Sequence, residues 1–230
     1  MTNTLHRFGK PDELKDDYIA FTLVCPGKND MGSIEKARDF LKIALKYNPV
    51  NFAAESRHGP VFRPEKNLNL FRLYLRGRKE IVSPELVMDE MEPPAHAVVV
   101  FDKKQALEEF LKEIKEIDLG LSVNVSSLVE DFKEIAQRIG ISPHSINYSL
   151  GFRGNLYRLP EQQVLALTTM CGHGLIASSF AKKMIDRVKE RRLAPEKAAR
   201  YMAKLCVCGA FNTSRAERIL HEARMSKSKA

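Results

Sequence analysis

Tyr18-Ile19-Ala20-Phe21-Thr22-Leu23-Val24-Cys25 is an apolar, β-prone run closed by Pro26-Gly27, the composition of a buried strand that ends in a turn. The segment after the turn sets the fold. Ser33 precedes Ile34-Glu35-Lys36-Ala37, and apolar Phe40, Leu41, Ile43, Ala44 and Leu45 recur at helical spacing, which predicts a helix to about Tyr47. Residues 69–76, Asn-Leu-Phe-Arg-Leu-Tyr-Leu-Arg, alternate as a half-buried strand does, and Gly77 interrupts them before Glu80-Ile81-Val82. An apolar strand at 96–101 leads into an amphipathic helix at 105–114, and residues 119–125 return to strand composition.

The order strand, helix, strands, helix, strand resembles the ferredoxin-like βαββαβ plan, in which both helices cover one face of an antiparallel sheet. The expected class is α+β, with a ferredoxin-like domain over residues 1–125. Residues 126–230 then form a basic helical domain. Leu128, Phe132, Ile135, Ala136 and Ile139 mark its first helix, stopped by Gly140 and Pro143. After a loop at 147–159, Pro160 and Pro195 stand where a first helical turn tolerates proline, and Ser214-Arg215-Ala216-Glu217 has capping-box spacing. The end, 226–230, reads as a frayed tail.

A chain of 230 residues that is 44% hydrophobic and 29% charged can bury a real core, which excludes disorder, collagen-like repeats and a disulfide scaffold. The net charge is +8. Residues 151–230 carry 16 Lys/Arg and 6 Asp/Glu, a balance of +10, whereas residues 1–150 carry 21 and 23, a balance of −2. Anionic partners are favoured, and the bias lies in the C-terminal third. The polar start and an apolar run at 97–101 far shorter than a roughly 20-residue span imply no membrane and a cytoplasmic location with reduced thiols.

Three of the four cysteines fall in two glycine-adjacent corners, Met170-Cys171-Gly172-His173-Gly174-Leu175 and Leu205-Cys206-Val207-Cys208-Gly209-Ala210. Read as helix boundaries, these corners place thiols where helix N-terminal amides favour thiolates and anions. Cys171, His173, Cys206 and Cys208 then form three thiolates and one imidazole, a set for zinc or an iron–sulfur cluster, with Cys25 beside Pro26 as a further thiolate. The Cys-x-x-Cys spacing of zinc fingers is absent.

Met170-Cys171-Gly172-His173-Gly174 also resembles the thiol motif of the proline racemase and hydroxyproline epimerase family, which places a catalytic cysteine at a helix start. That family's second motif, Cys-Gly-Thr-Gly-Thr, has only a distant echo in Cys208-Gly209-Ala210-Phe211-Asn212-Thr213. The likeness covers about five residues, and we read it as convergence on one physical solution rather than membership. It implies a thiol chemistry in which Cys171 is nucleophile or base and His173 its proton partner, with Gly172 and Gly174 amides approaching a carboxylate.

Arg215 and Arg218 at the start of a helix oppose its dipole unless an anion compensates. Glu217 is one such anion; a bound phosphate or carboxylate held by Asn212, Thr213, Ser214 and Arg215 is another. The basic stripe at 182–192 reads as a solvated helix face that nucleic acid or an acidic protein is able to use, although few aromatics accompany it. No Walker loop, dinucleotide fingerprint or His-Glu-x-x-His helix is present. The sequence thus supports a metal-binding protein of redox or regulatory use that meets a small anionic ligand or a redox partner protein. A thiol enzyme acting on a small anion and a non-catalytic binding module are the alternatives.

Overall fold

The computed structural model describes residues 6–54, 83–89, 91, 93, 95–206 and 208–226. A short helix α1 (Pro11–Leu14) leads into β1 (Tyr18–Leu23), then α2 (Ser33–Leu45) and β2 (Asn51–Ala54). After α3 (Pro84–Asp89) come β3 (Ala97–Phe101), α4 (Lys104–Ile117), β4 (Ser122–Ser126) and α5 (Val129–Ile139). A 3-10 turn (Leu156–Arg158) precedes α6 (Gln162–Thr168), α7 (Ser178–Lys189), α8 (Pro195–Ala203) and α9 (Thr213–Ser226). The chain is thus mixed α and β, with one four-stranded sheet among the described residues. No helix among them is long and apolar enough to cross a membrane.

The strand order is β2-β3-β1-β4, and each neighbouring pair is antiparallel. Ala20 of β1 faces Val99 on one side and Val125 on the other. The strand expected at 69–76 lies outside the described residues, whereas β2 carries no signal in sequence: Asn-Phe-Ala-Ala is too short to show a period.

Successive strand side chains point to opposite faces, and here both faces are buried. Tyr18, Ala20, Val99 and Phe101 pack with Phe40 and Leu41 of α2, Leu107 and Phe110 of α4 and Ile135 of α5. Phe40 and Phe110 meet edge to face with ring centres 5.1 Å apart. Ile19, Phe21, Val98 and Val100 pack with Leu167 of α6, Met184, Ile185 and Val188 of α7, Met202 of α8 and Leu220 of α9. The second face is therefore covered by the C-terminal helices. α5 stays on the first face, with Asp131 accepting from Tyr18 at 3.0 Å and Lys104 at 2.9 Å, so the chain crosses over only after Gly140. Gly140 ends α5 in the left-handed conformation, as its sequence predicts.

Candidate metal centre

The centre lies where α6 and α8 end above the second face. α6 stops at Thr168, and the amide of Gly172 donates to the Thr169 carbonyl at 2.8 Å in a turn that Gly172 continues with φ +80°. The turn leaves Cys171 in the core, His173 half-buried, and Gly174 and Leu175 exposed. α7 begins only at Ser178, so Cys171 follows a helix C-terminus rather than opening a helix, against expectation. The dipole there disfavours a thiolate, and any stabilisation must come from neighbouring side chains.

The second corner follows α8, which ends at Ala203, earlier than the sequence suggests. The Cys206 amide donates to Ala203 at 3.0 Å and the Gly209 amide to Cys206 at 3.2 Å, winding the chain into successive turns. Gly209 sits at φ +64°, and a Cβ there would lie 2.3 Å from the Ala53 Cβ and 2.9 Å from the Ala53 amide of β2. Only glycine lets this corner press against the sheet edge.

The two corners converge. One ligand atom each from Cys171, His173 and Cys208 lie within 4.8 Å of one another, a group that can hold a metal ion. The Cys206 sulfur is 3.1 Å from that of Cys208, and Cys171 interacts with both. All four cysteines are free thiols.

Hydrogen bonds from Cys206 and then Cys208 hold the Cys171 thiol far below its ordinary range, against the opposing effect of burial. Cys206 is displaced well upward by its interaction with Cys171, then Cys208, and by burial. His173 is pushed up to about 10, chiefly by the Cys171 sulfur and then by Cys208. The largest of these influences come from the sulfurs, the imidazole and burial. The buried Nδ1 of His173 has no partner in hydrogen-bond geometry. An orphaned imidazole nitrogen beside the sulfurs of Cys171 and Cys208 is a donor set that a borderline-soft cation completes.

Cys25 is not brought into this group. It is exposed in the turn after β1, where Asn29 Oδ1 accepts from its amide at 2.6 Å. The expected anion-binding set also has other partners. Arg215, only 1% exposed, donates from Nη1 to Asp17 Oδ2 at 2.8 Å and from Nη2 to the Phe8 carbonyl at 2.7 Å. Asn212 Oδ1 accepts from the Arg215 amide at 2.9 Å, so Asn212 caps α9 in place of the predicted Ser214 box, and its Nδ2 donates to Asp17 at 3.0 Å. Thr213 donates to the Val50 carbonyl at 3.3 Å. Arg7 completes the network with an ion pair of 2.9 Å to Asp17. Arg218 reaches Asp16 at 3.3 Å. The anion that compensates both arginines is thus the Asp16-Asp17 segment. Neither Glu217 nor a ligand is needed for that role. Asp17 and Arg7 carry no local signal in sequence, because they meet Arg215 across almost the whole chain.

Compared with protein families, curated proteins and solved structures, the chain matches none.

Proposed function

We propose that the protein is a metal-binding protein whose centre is formed by Cys171, His173, Cys206 and Cys208. The single observation that carries this reading is the convergence of two sequence-distant corners into three sulfurs and a buried, unpartnered imidazole nitrogen. Three thiolates and a histidine are a common structural zinc set, and a tetrahedron with Zn–S near 2.3 Å has sulfur–sulfur edges of about 3.8 Å. The ligand atoms of Cys171, His173 and Cys208, within 4.8 Å of one another, fit one ion of that size, and Cys206, 3.1 Å from Cys208, supports a fourth ligand. A cubane cluster spreads its thiolates over separate corners, so a single zinc ion is the favoured occupant and an iron–sulfur cluster the second.

The strand order and the α2 and α4 crossovers support a ferredoxin-like plan for the first part of the chain, with the basic helical part as the metal-bearing unit. Gly174 and Leu175 give the centre a solvent-facing edge, which suits a regulatory or redox use in which a partner protein or small anion reads the metal state. A cytoplasmic setting belongs to the same proposal, since it keeps thiols reduced.

Purification with and without oxygen, followed by metal analysis, a visible spectrum and titration with Zn²⁺ and Co²⁺, tests the reading. One equivalent of zinc, or of Co²⁺ with tetrahedral thiolate bands, is expected; brown colour with iron and sulfide identifies the cluster. A folded protein that is colourless, metal-free and takes up neither ion overturns both.

The Cys171–His173 pairing supports one second reading, a metal-independent thiol enzyme. It requires Cys171 to alkylate faster than a free thiol near neutral pH, and the burial of Cys171 argues against it.

A further inference from the structure

Between α5 and α6 the chain forms an arm in which every residue from 142 to 159 is exposed. The arm is unusual in what it displays. Tyr157 is 100% exposed, Leu150 74% and Tyr148 60%. Several large apolar groups left in water within one short segment are the material of an interaction surface.

Its chemistry selects the partner. No acidic residue lies between Glu134 and Glu161, while Arg153 follows Phe152 and Arg158 follows Tyr157 in Phe152-Arg153-Gly154-Asn155-Leu156-Tyr157-Arg158. Asn155 Oδ1 accepts from the Tyr157 amide at 3.2 Å and fixes the turn from which that ring projects. Phe152 anchors the arm through an edge contact with Phe8, ring centres 5.7 Å apart. The arm then runs onto a basic face, for Glu161 lies 3.7 Å from Lys182, and Lys182, Lys183 and Arg187 of α7 are exposed. Part of the C-terminal positive charge, Lys183 and Arg187 with Lys182 shared between Glu161 and Asp186, thus lies on the helix that the end of the arm meets.

We propose that the arm 142–159, with the exposed basic face of α7, binds single-stranded RNA. Exposed aromatic rings with arginines beside them offer bases a stacking platform while the cations follow the backbone. Neutral Ser142, Ser145 and Asn147 supply the donors and acceptors that a 2′-hydroxyl requires. An acidic protein would use the cations but leave Tyr148 and Tyr157 without a role.

Fluorescence anisotropy of a labelled oligouridylate of about twelve nucleotides, a length within single-strand site sizes, tests the proposal on the full chain. Saturable binding that weakens with salt is expected. Tyr157→Ala should weaken it about tenfold or more with an unchanged circular dichroism melt, because a fully exposed side chain supports no packing. Arg153→Ala with Arg158→Ala should flatten the dependence of log affinity on log salt by about 0.7 for each phosphate no longer neutralised. Absence of saturable binding at low salt, indifference to Tyr157→Ala, or equal affinity for a duplex or for single-stranded DNA of the same length would overturn it. So would a dimer in sedimentation that Tyr157→Ala dissolves, since the arm would then dock on a second copy.

Discussion

Two buried polar clusters share the loop between α8 and α9, and they are built on opposite terms. In the Arg7–Asp17–Asn212–Arg215 network each carboxylate oxygen of Asp17 has a charged partner, at 2.9 Å and 2.8 Å, and Asn212 uses both ends of its amide. Protein groups alone answer that charge. A few residues earlier, Cys206 and Cys208 have only each other, Cys171 and His173 to meet, and a ring nitrogen remains unanswered. Buried polar atoms are common to both, and Arg215 Nε, like His173 Nδ1, has no hydrogen-bond partner; the difference is that opposite protein charges meet in the first cluster, whereas the second gathers soft metal-ligating groups with no charged residue opposite them.

The two clusters should part most severely at Asp17. Asp17→Ala strands two buried guanidiniums, and urea unfolding should show a loss of about 3–5 kcal/mol whether or not metal is present. At the other cluster the loss should depend on metal. Cys206→Ser is expected to lower Zn²⁺ affinity at least about 100-fold, because even partners outside a coordination sphere are worth about 10–100-fold. Its metal-free stability should fall by no more than about 1–3 kcal/mol, the cost of a buried hydroxyl, which is less than the loss at Asp17. If metal-free Cys206→Ser unfolds as readily as Asp17→Ala, the two clusters do not differ in kind.

Gly209→Ala strikes the corner itself. A left-handed alanine, with a Cβ that would overlap Ala53, should destabilise the fold by about 2 kcal/mol and reduce metal uptake as well. A subtler distinction is pH. A protonated His173 cannot ligate, and its proton is held up to about 10, so metal must displace it; Zn²⁺ affinity should therefore rise as pH increases from 6 toward 9. An affinity flat over that range would remove His173 from the ligand set. Cys25→Ser should change neither metal content nor stability beyond about 0.5 kcal/mol, since Cys25 is exposed and outside the group.

The fold is most legible in sequence where local pattern is strong. Tyr18–Leu23 and Ala97–Phe101 are strands, and Pro195 opens α8 at its first position. The one-face plan is too spare. Val98, Val99 and Val100 are apolar at both parities, which is the mark of a strand buried on both sides, and the C-terminal helices supply the second cover. Cys171, His173, Cys206 and Cys208 are legible as a group because glycine-adjacent cysteines are rare and paired. Cys25 looks alike, with its Pro26-Gly27 turn, but its turn lies at the exposed end of β1. The fate of Arg215 is illegible, because its partner is Asp17 and nothing near Arg215 announces it.

That last pairing also governs how the molecule can be made. Asp17 and Arg215 are 198 residues apart, and β1, the strand beside Asp17, needs β3 and β4 on its edges and α6–α9 over one face. At about 5–20 residues per second, roughly 10–40 seconds of synthesis separate the two halves of the ion pair. The central strand leaves the ribosome early and waits, apolar on both sides, for almost the whole remaining chain. Closure of the fold is therefore a late, long-range event, and the interval before it is the stage at which a chaperone has most to protect.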